Sequence, residues 1–191
     1  MDVIEALVAG GADPNKVGGE SSSSSLCAAA GNNQPRAIAA LVRAGADVNL
    51  ASSEGCTPLN KAAQEGYREA VVALLVARAA VNVASDQGAS PLYYAAQNGQ
   101  VEILKLLLRA KAKVDQTSIN GGTPLIVAAA KGHLACVDLL LAGGANVHHK
   151  SNKGQTALYW ATHCKHTAVE AGLRAHIAKQ EAEAEAEAAG K

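Results

Sequence analysis

The chain has 191 residues, of which 49% are hydrophobic and 3% aromatic, and its 17 Lys and Arg residues balance 17 Asp and Glu residues. A net charge of +0 lacks the basic excess that supplies most of the affinity of nucleic-acid and anionic-membrane binders, so we expect neither kind of partner. With no phenylalanine, the core must consist mainly of Ala, Leu and Val, which favours thin elements packed closely together.

The N-terminal segment and the cysteines indicate where the protein resides. Asp2 and Glu5 stand where a secretory signal carries positive charge, and no stretch approaches the ~18–20 uninterrupted apolar residues of a membrane span. The four cysteines form no CxxC pair, which favours reduced thiols in a reducing compartment. We therefore expect a cytoplasmic protein, with the nucleus as the alternative location, and no insertion into a membrane.

The first predicted element is a helix, in which four apolar residues between Val3 and Val8 form a stripe. A turn over residues 10–15 follows it. No other helix precedes this one, so the chain either starts with a half-repeat that caps the fold or is a fragment of a longer protein. The Gly/Ser-rich stretch 18–25 is then either a long, loose finger loop or an interruption of the pattern that follows.

A repeat of 33 residues fills most of the remaining chain. Each copy begins with a Ser or Thr that can cap a helix through its hydroxyl, and in three copies a proline follows at the first helical position, where a missing N–H costs nothing. A pair of small residues gives this helix a slim face, and a glycine ends it nine residues after the cap in three copies. The five caps are Ser24, Thr57, Ser90, Thr123 and Thr156.

A second helix with an apolar stripe follows the first in each copy, and three copies carry a Leu-Leu pair in it. The second helix leads into an exit loop that ends in Val and a polar residue, as in Val48-Asn49. A glycine two residues before the next cap then indicates a tight turn. These turn glycines are Gly55, Gly88, Gly121 and Gly154.

This pattern resembles the ankyrin repeat through the Thr-Pro-Leu cap, the Ala pair, the glycine, the Leu pair and the run Gly-Ala-Asp-Val-Asn at 45–49. The resemblance covers about residues 1–178 and implies an all-α fold of helix-turn-helix repeats with β-hairpin-like loops, which is an ankyrin repeat solenoid. The implied units are a half-repeat at 1–15, repeats at about 19–51, 52–84, 85–117 and 118–150, a C-terminal capping repeat at 151–178, and an Ala/Glu-rich low-complexity tail at 179–191.

The chain departs from the family pattern at one position of every repeat, because the family usually has His directly after Thr-Pro-Leu. We therefore expect the side-chain link from that His to the cap to be lost in every repeat, with Tyr93 and Tyr159 filling the space that the His leaves. The residues at this position are Cys27, Asn60, Tyr93, Ile126 and Tyr159.

The C-terminal segment is predicted to close the core with a last amphipathic helix. Val169, Leu173 and Ile177 form its apolar stripe. Beyond it, like charges such as Glu181 and Glu185 repel at i,i+4, so we expect a frayed, solvated extension, with an acidic docking tail as the alternative.

No motif for catalysis or cofactor binding is present, since the chain has no Gly-rich phosphate loop, nucleophile elbow or HExxH. The nearest approach to a metal site is His163-Cys164 with His166, but zinc needs ligands that converge and adjacent residues point apart. The basic residues between Lys105 and Lys113 are expected on a solvated outer face. We therefore expect no enzyme activity, no cofactor and no metal.

The resemblance implies protein–protein recognition by a monomer that binds a partner protein through the concave groove and finger loops. The alternative is a fragment or targeting domain of a larger enzyme, channel or ubiquitin-ligase adaptor. Tyr94 and Trp160 are the large aromatics expected to anchor a partner. The family's variable positions, carried over onto this sequence, predict as partner-binding residues Glu54, Lys61, Gln64, Glu65, Asp86, Gln87, Tyr94, Gln97, Asn98, Asn120, Lys131, Asn152, Lys153 and Trp160.

One exit loop also matches a modification pattern of this family. Leu41, Asp47, Val48 and Asn49 have the spacing Leu-x5-Asp-Val-Asn that asparaginyl hydroxylases accept. Asn49 is therefore a candidate for hydroxylation, and the alternative is a purely structural loop residue.

Overall fold

The computed structural model describes residues 3–18 and 23–189, which form eleven helices and one two-stranded antiparallel sheet. An unpaired helix is followed by five pairs, each with a first helix of seven or eight residues and a longer second helix, so the predicted all-α repeat architecture is confirmed. The elements are α1 (Val3–Ala9), β1 (Val17–Gly18), β2 (Ser23–Ser24), α2 (Ser25–Gly31), α3 (Pro35–Arg43), α4 (Pro58–Glu65), α5 (Arg68–Val76), α6 (Pro91–Gln97), α7 (Val101–Arg109), α8 (Pro124–Lys131), α9 (Leu134–Ala142), α10 (Ala157–His163) and α11 (Thr167–Ala189).

The first helix of every pair begins at the Ser or Thr predicted as its cap. The Thr57 hydroxyl oxygen accepts a hydrogen bond from the backbone N–H of Asn60, as the Thr123 hydroxyl oxygen does from that of Ile126, both at 3.3 Å. All five caps form this bond, and each stabilises its helix by ~1 kcal/mol. α4 ends at Gly66, which adopts the left-handed conformation with φ 82°.

Stacking of like helices buries the recurring apolar residues. Each first helix contacts the first helix of the next pair, and each second helix contacts the next second helix. The paired alanines of the first helices are buried between these neighbours, and their small size lets the helices approach closely. A fully buried leucine contributes ~2 kcal/mol. The leucines that follow the caps, all with 0% exposure, are Leu26, Leu59, Leu92 and Leu125.

The exit loops after the second helices are joined by side-chain hydrogen bonds, which we call the exit-loop ladder. Asn49 Oδ1 accepts from the backbone N–H of Ala80, and Asn82 Oδ1 accepts from that of Lys113, both at 2.8 Å. The polar residue near the end of each of these exit loops, which follows Val in three of them and Pro14 in the first, therefore links consecutive repeats. The four acceptors of the ladder are Asn15, Asn49, Asn82 and Asp115.

Three basic residues adopt a backbone conformation that favours glycine. Arg78 (φ 62°) and Lys111 (φ 65°) follow second helices at the position where neighbouring copies have Gly45 and Gly144. Lys165 (φ 60°) has the same conformation after α10. Because a non-glycine residue pays ~1–2 kcal/mol here, the repeat geometry imposes the turn against local preference.

The expected loss of the link from the residue after Thr-Pro-Leu is wrong for Asn60. The Thr57 hydroxyl donates to Asn60 Oδ1, and Asn60 Nδ2 donates to the carbonyl of Ala89 in the next repeat at 3.0 Å. An amide can replace an imidazole here because both offer a donor and an acceptor. Cys27 makes a weaker version of the contact, since its thiol lies 3.7 Å from the carbonyl oxygen of Cys56.

The Gly/Ser-rich stretch near the N-terminus contributes to a finger hairpin. β1 and β2 pair antiparallel, with Val17 opposite Ser24 and Gly18 opposite Ser23. Residues 19–22 of this stretch lie outside the described residues.

The tail differs from the frayed extension that the sequence predicts, because α11 continues without a break to Ala189. Ala and Glu are strong helix formers, and Lys179 lies 3.7 Å from Glu183, one turn away. The described side chains from Lys179 to Glu187 are exposed, as expected for a solvated segment.

Candidate functional site

Four finger turns share one construction. Each runs from a serine to a glycine, and the glycine N–H donates to the serine carbonyl across 2.8–3.0 Å. The serine N–H donates in turn to the carbonyl of the residue after the glycine. Serine at the first and glycine at the last position are typical of type I turns. The turns, called fingers 1 to 4 here, span residues 52–55, 85–88, 118–121 and 151–154.

Neighbouring fingers are bonded to one another at their tips, and we call the four together the finger row. The backbone N–H of Asp86 in finger 2 donates to the carbonyl of Glu54 in finger 1 at 3.1 Å. The same contact joins Ile119 to Gln87 and Asn152 to Asn120. The fingers are therefore held in fixed positions relative to one another by backbone atoms.

Six of the predicted partner-binding residues occupy the middle positions of these turns, with their side chains exposed. They differ in charge and shape from one finger to the next, unlike the serines and glycines that build the turns. These residues are Glu54, Asp86, Gln87, Asn120, Asn152 and Lys153.

Three clefts lie between the fingers and the first helices. Cleft A, of 510 Å³, lies beside finger 1 and contains Lys61 and Gln64. Cleft B, of 380 Å³, lies between fingers 1 and 2 and has Tyr94 on its wall. Cleft C, of 320 Å³, lies between fingers 3 and 4 and has Trp160 on its wall. Because Lys61, Tyr94 and Trp160 occupy equivalent repeat positions, the clefts open on one side, which we call the finger face.

The remaining predicted residues lie at the C-terminal ends of the first helices. Glu65 forms an ion pair with Lys61 at 2.7 Å, and Asn98 Nδ2 donates to the carbonyl of Gln64 at 2.8 Å. Gln97 is half-buried, and Lys131 is exposed. Glu65 and Asn98 thus have partners within the array, while Lys131 extends the finger face beyond cleft C.

Tyr94 is fixed in cleft B by its hydroxyl. The phenol donates to Ser85 Oγ at 3.2 Å, and its oxygen lies 3.7 Å from Cys56 Sγ. Burial raises the pKa of the Tyr94 phenol above its ordinary value, so the group is a neutral donor at physiological pH. The ring is left to contact a partner, because the hydroxyl already binds its own finger.

The other aromatic residues divide between framework and surface. Tyr93 is half-buried and lies beside Gly122, directly after finger 3, so it fills the space as expected. Tyr159 does not, because among the described residues no further first helix packs on α10, and the residue stays 45% exposed. Instead it stacks on His163 at 5.7 Å and meets Trp160 edge-on at 5.7 Å.

Charge is distributed unevenly along the finger face. The first two fingers carry the carboxylates of Glu54 and Asp86, whereas the end near cleft C carries the ammonium groups of Lys131 and Lys153. Lys61 and Glu65 neutralise each other. One end of the face is therefore acidic and the other basic.

The described part of the chain offers no centre for metal chemistry. Within residues 3–18 and 23–189, no three His, Cys, Asp or Glu side chains come together as metal ligands do. His166 Nε2 instead contacts the carbonyl of Ala130 at 3.1 Å, which requires a proton on that nitrogen. In the same ranges, no helix combines the length and apolar character that crossing a bilayer requires.

Sequence reasoning missed the serines that open the fingers and the two histidines, His133 and His166, that lie just beyond the ends of the first helices α8 and α10. His133 Nε2 contacts the carbonyl of Gln97 at 3.1 Å, bridging one repeat to the preceding one as His166 does. The serine signal was detectable, because it recurs every 33 residues. The opening serines are Ser52, Ser85, Ser118 and Ser151.

Comparison with known proteins gives one family match. The family model described as Ankyrin repeats (3 copies) matches the chain over residues 1–85, 26–118 and 92–180. These overlapping matches extend across both the finger row and the helix pairs. No curated protein matches the chain at a significant level.

Proposed function

This chain belongs to the ankyrin repeat family, and on that premise we propose that it recognises a partner protein through the finger face. Ankyrin repeats are generally protein-interaction modules and are typically non-catalytic. The proposal assigns partner contact to the fourteen residues predicted above, with Tyr94 and Trp160 as the anchors.

The observation that carries this proposal is the bonded finger row. The side chains at the finger tips vary between repeats, but the backbone that carries them is the same. In fingers 2 to 4, a backbone N–H of the tip donates to a carbonyl of the tip before it. A surface that is already ordered loses little conformational entropy on binding, and more of the contact energy then appears as affinity. The two half-buried aromatics beneath the row provide the apolar area that such interfaces use as anchors.

Compartment and assembly state form part of the same proposal. All four cysteines are free thiols, and Cys27 and Cys136 are buried, which supports a reducing compartment such as the cytoplasm or nucleus. We propose a monomer without enzymatic activity of its own. Size-exclusion chromatography with light scattering tests whether the protein is a monomer, and a defined dimer would contradict this proposal.

The experiment for the main proposal is affinity capture from host cells with the intact chain, compared with the double variant Tyr94→Ala/Trp160→Ala. Ala28 occupies the same repeat position as both residues, so the fold tolerates alanine there. We expect capture of a specific partner to fall by tenfold or more, at unchanged helical circular dichroism.

The matched control carries two alanines on a second helix, Lys105→Ala/Arg109→Ala. These side chains line none of the three clefts, and Lys105 already pairs with Glu102 at 2.7 Å. Capture should be nearly unchanged. Equal or greater loss with this control would overturn the assignment to the finger face.

A further inference from the structure

We propose that cleft C binds an acidic peptide segment of the partner, with an apolar side chain against Trp160 and a carboxylate at Lys153. This inference rests on the proposed recognition function and gives one part of the finger face a ligand of definite chemistry. The position of this carboxylate is inferred from two observations: hydrogen-bond donors near cleft C lack acceptors, and the charged residues near this cleft are positive.

Three polar groups at the cleft C end of the face are donors without a partner in the described part of the chain. Among the residues that the structure describes, neither Lys153 nor Lys131 lies within ion-pair distance of a carboxylate, and the indole N–H of Trp160 has no acceptor. Lys131 lies one turn beyond Val127, which lines the cleft, and so faces the same side. A ligand that satisfies these three groups must bring acceptors, and a carboxylate forms the strongest such hydrogen bonds.

The walls of cleft C supply an apolar contact beside these donors. Ile126 and Val127 of α8 line it with only 6% and 8% of their surfaces exposed, and Trp160 of α10 forms the opposite side. The volume of 320 Å³ lies at the low end of the ~300–1,000 Å³ range of ligand pockets. It therefore suits a side chain from an extended segment better than a whole helix.

Cleft B shows that this chemistry is specific to one end of the face. Glu54 and Asp86 line cleft B, and its aromatic hydroxyl, on Tyr94, is already bonded to Ser85. No acidic residue lines cleft C. An acidic segment is therefore attracted to cleft C and repelled from cleft B, which fixes where on the finger face it binds.

The test is a selection of random displayed peptides on the intact chain, followed by affinity measurement with a labelled synthetic copy of the most enriched peptide. Two variants place in cleft C a residue that the array already has at the equivalent position. Lys153→Gln copies Gln87, and Trp160→Val copies Val127. The control Lys113→Asp copies Asp47 in an exit loop and reverses a charge on a side chain that lines none of the three clefts.

The inference predicts peptides enriched in Asp or Glu next to an apolar residue. Lys153→Gln should weaken their binding about two- to fivefold and Trp160→Val about tenfold or more, while Lys113→Asp leaves it unchanged. Binding should also weaken as salt is raised above ~0.15 M.

Other outcomes overturn the inference and separate it from the proposed function. Selected peptides without acidic residues, or acidic peptides insensitive to Lys153→Gln and Trp160→Val, contradict the assignment of cleft C. Recovery of no peptide contradicts it as well. In each of these cases the capture experiment with Tyr94→Ala/Trp160→Ala still decides separately whether the finger face recognises a protein.

Discussion

The backbone N–H of Asp86 donates to the carbonyl oxygen of Glu54 across 3.1 Å, so the tips of fingers 1 and 2 are joined by atoms that do not depend on side-chain identity. The residues at the tips can therefore change without loosening the row that carries them. Recognition and stability are assigned to different atoms of the same turn.

Each finger packs closely against the next, and this predicts that alanine will cost more stability at one glycine than at another of nearly equal backbone conformation. A Cβ at Gly121 (φ 73°) would come within 2.7 Å of the backbone nitrogen of Asn152, whereas a Cβ at Gly154 (φ 74°) would meet nothing within 4 Å. Gly121→Ala should lower the free energy of unfolding by ~2–4 kcal/mol, and Gly154→Ala by about 1 kcal/mol. Urea denaturation measures both, and equal losses would show that the fingers are not packed on one another.

The basic residues in left-handed turns predict stabilising substitutions. Arg78→Gly and Lys111→Gly remove a conformational cost of ~1–2 kcal/mol and add back ~0.5–1 kcal/mol of chain entropy, so each should raise the free energy of unfolding by about 0.5–1 kcal/mol. The control Ala39→Gly, at an exposed position inside α3, should lower it by ~1 kcal/mol. A loss of stability at Arg78 or Lys111 would mean that their side chains make contacts worth more than the strain.

Buried thiols and phenols predict a loss of stability in alkali. Burial raises the pKa of Cys27 and Cys136 above the ordinary 9.0, and that of Tyr93 and Tyr94 above the ordinary 10.0. Above these ordinary values the unfolded chain binds fewer protons than the folded one, so the free energy of unfolding falls as pH rises.

Urea midpoints measured from about pH 8 to about pH 11 check this sign. The variant Tyr93→Phe/Tyr94→Phe should show a shallower fall above pH ~10 than the unmodified chain, because two of the groups responsible are gone. An identical slope in the two proteins would assign the alkaline loss to other groups.

The exit loops predict a selective modification. Asn49 follows Asp47 by two residues, whereas the equivalent Asn82 follows Ala80. Where the host has an asparaginyl hydroxylase, we expect mass spectrometry to find an added oxygen on the Asn49 peptide and none on the Asn82 peptide. Both side-chain amides accept a backbone N–H at 2.8 Å in the exit-loop ladder. A difference in modification between them would therefore reflect the sequence preference of the hydroxylase. Unmodified Asn49 in such a host would leave it a purely structural residue.

Much of the fold was predictable because its signals are local and periodic. Thr57 and Gly66 mark the two ends of α4 through a hydroxyl cap and a left-handed turn, and each requires only neighbouring residues. The stacking of copies then follows from the spacing of 33 residues, since equivalent apolar residues must meet.

Apart from the serines that open the fingers, the contacts that sequence reasoning missed join residues of different repeats or depend on whether a further helix covers the residue. The Asn60 amide reaches Ala89 only once the next repeat is in place, and no motif announces that an amide will substitute for an imidazole. Tyr159 is exposed because no further first helix packs on α10 among the described residues, although Tyr93 at the equivalent position is half-buried beneath the next repeat. That the donors around Lys153 have no carboxylate nearby can likewise be seen only once the positions of the surrounding acidic residues are known.

The most direct measurement of the central claim is the hydrogen-exchange footprint of the captured partner on the intact chain. Recognition through the finger face predicts added protection in the four fingers and in the first helices α4, α6, α8 and α10, strongest around Tyr94 and Trp160, with the second helices α5, α7 and α9 unchanged. Protection concentrated on the second helices, with the fingers exchanging as in the free protein, would contradict it.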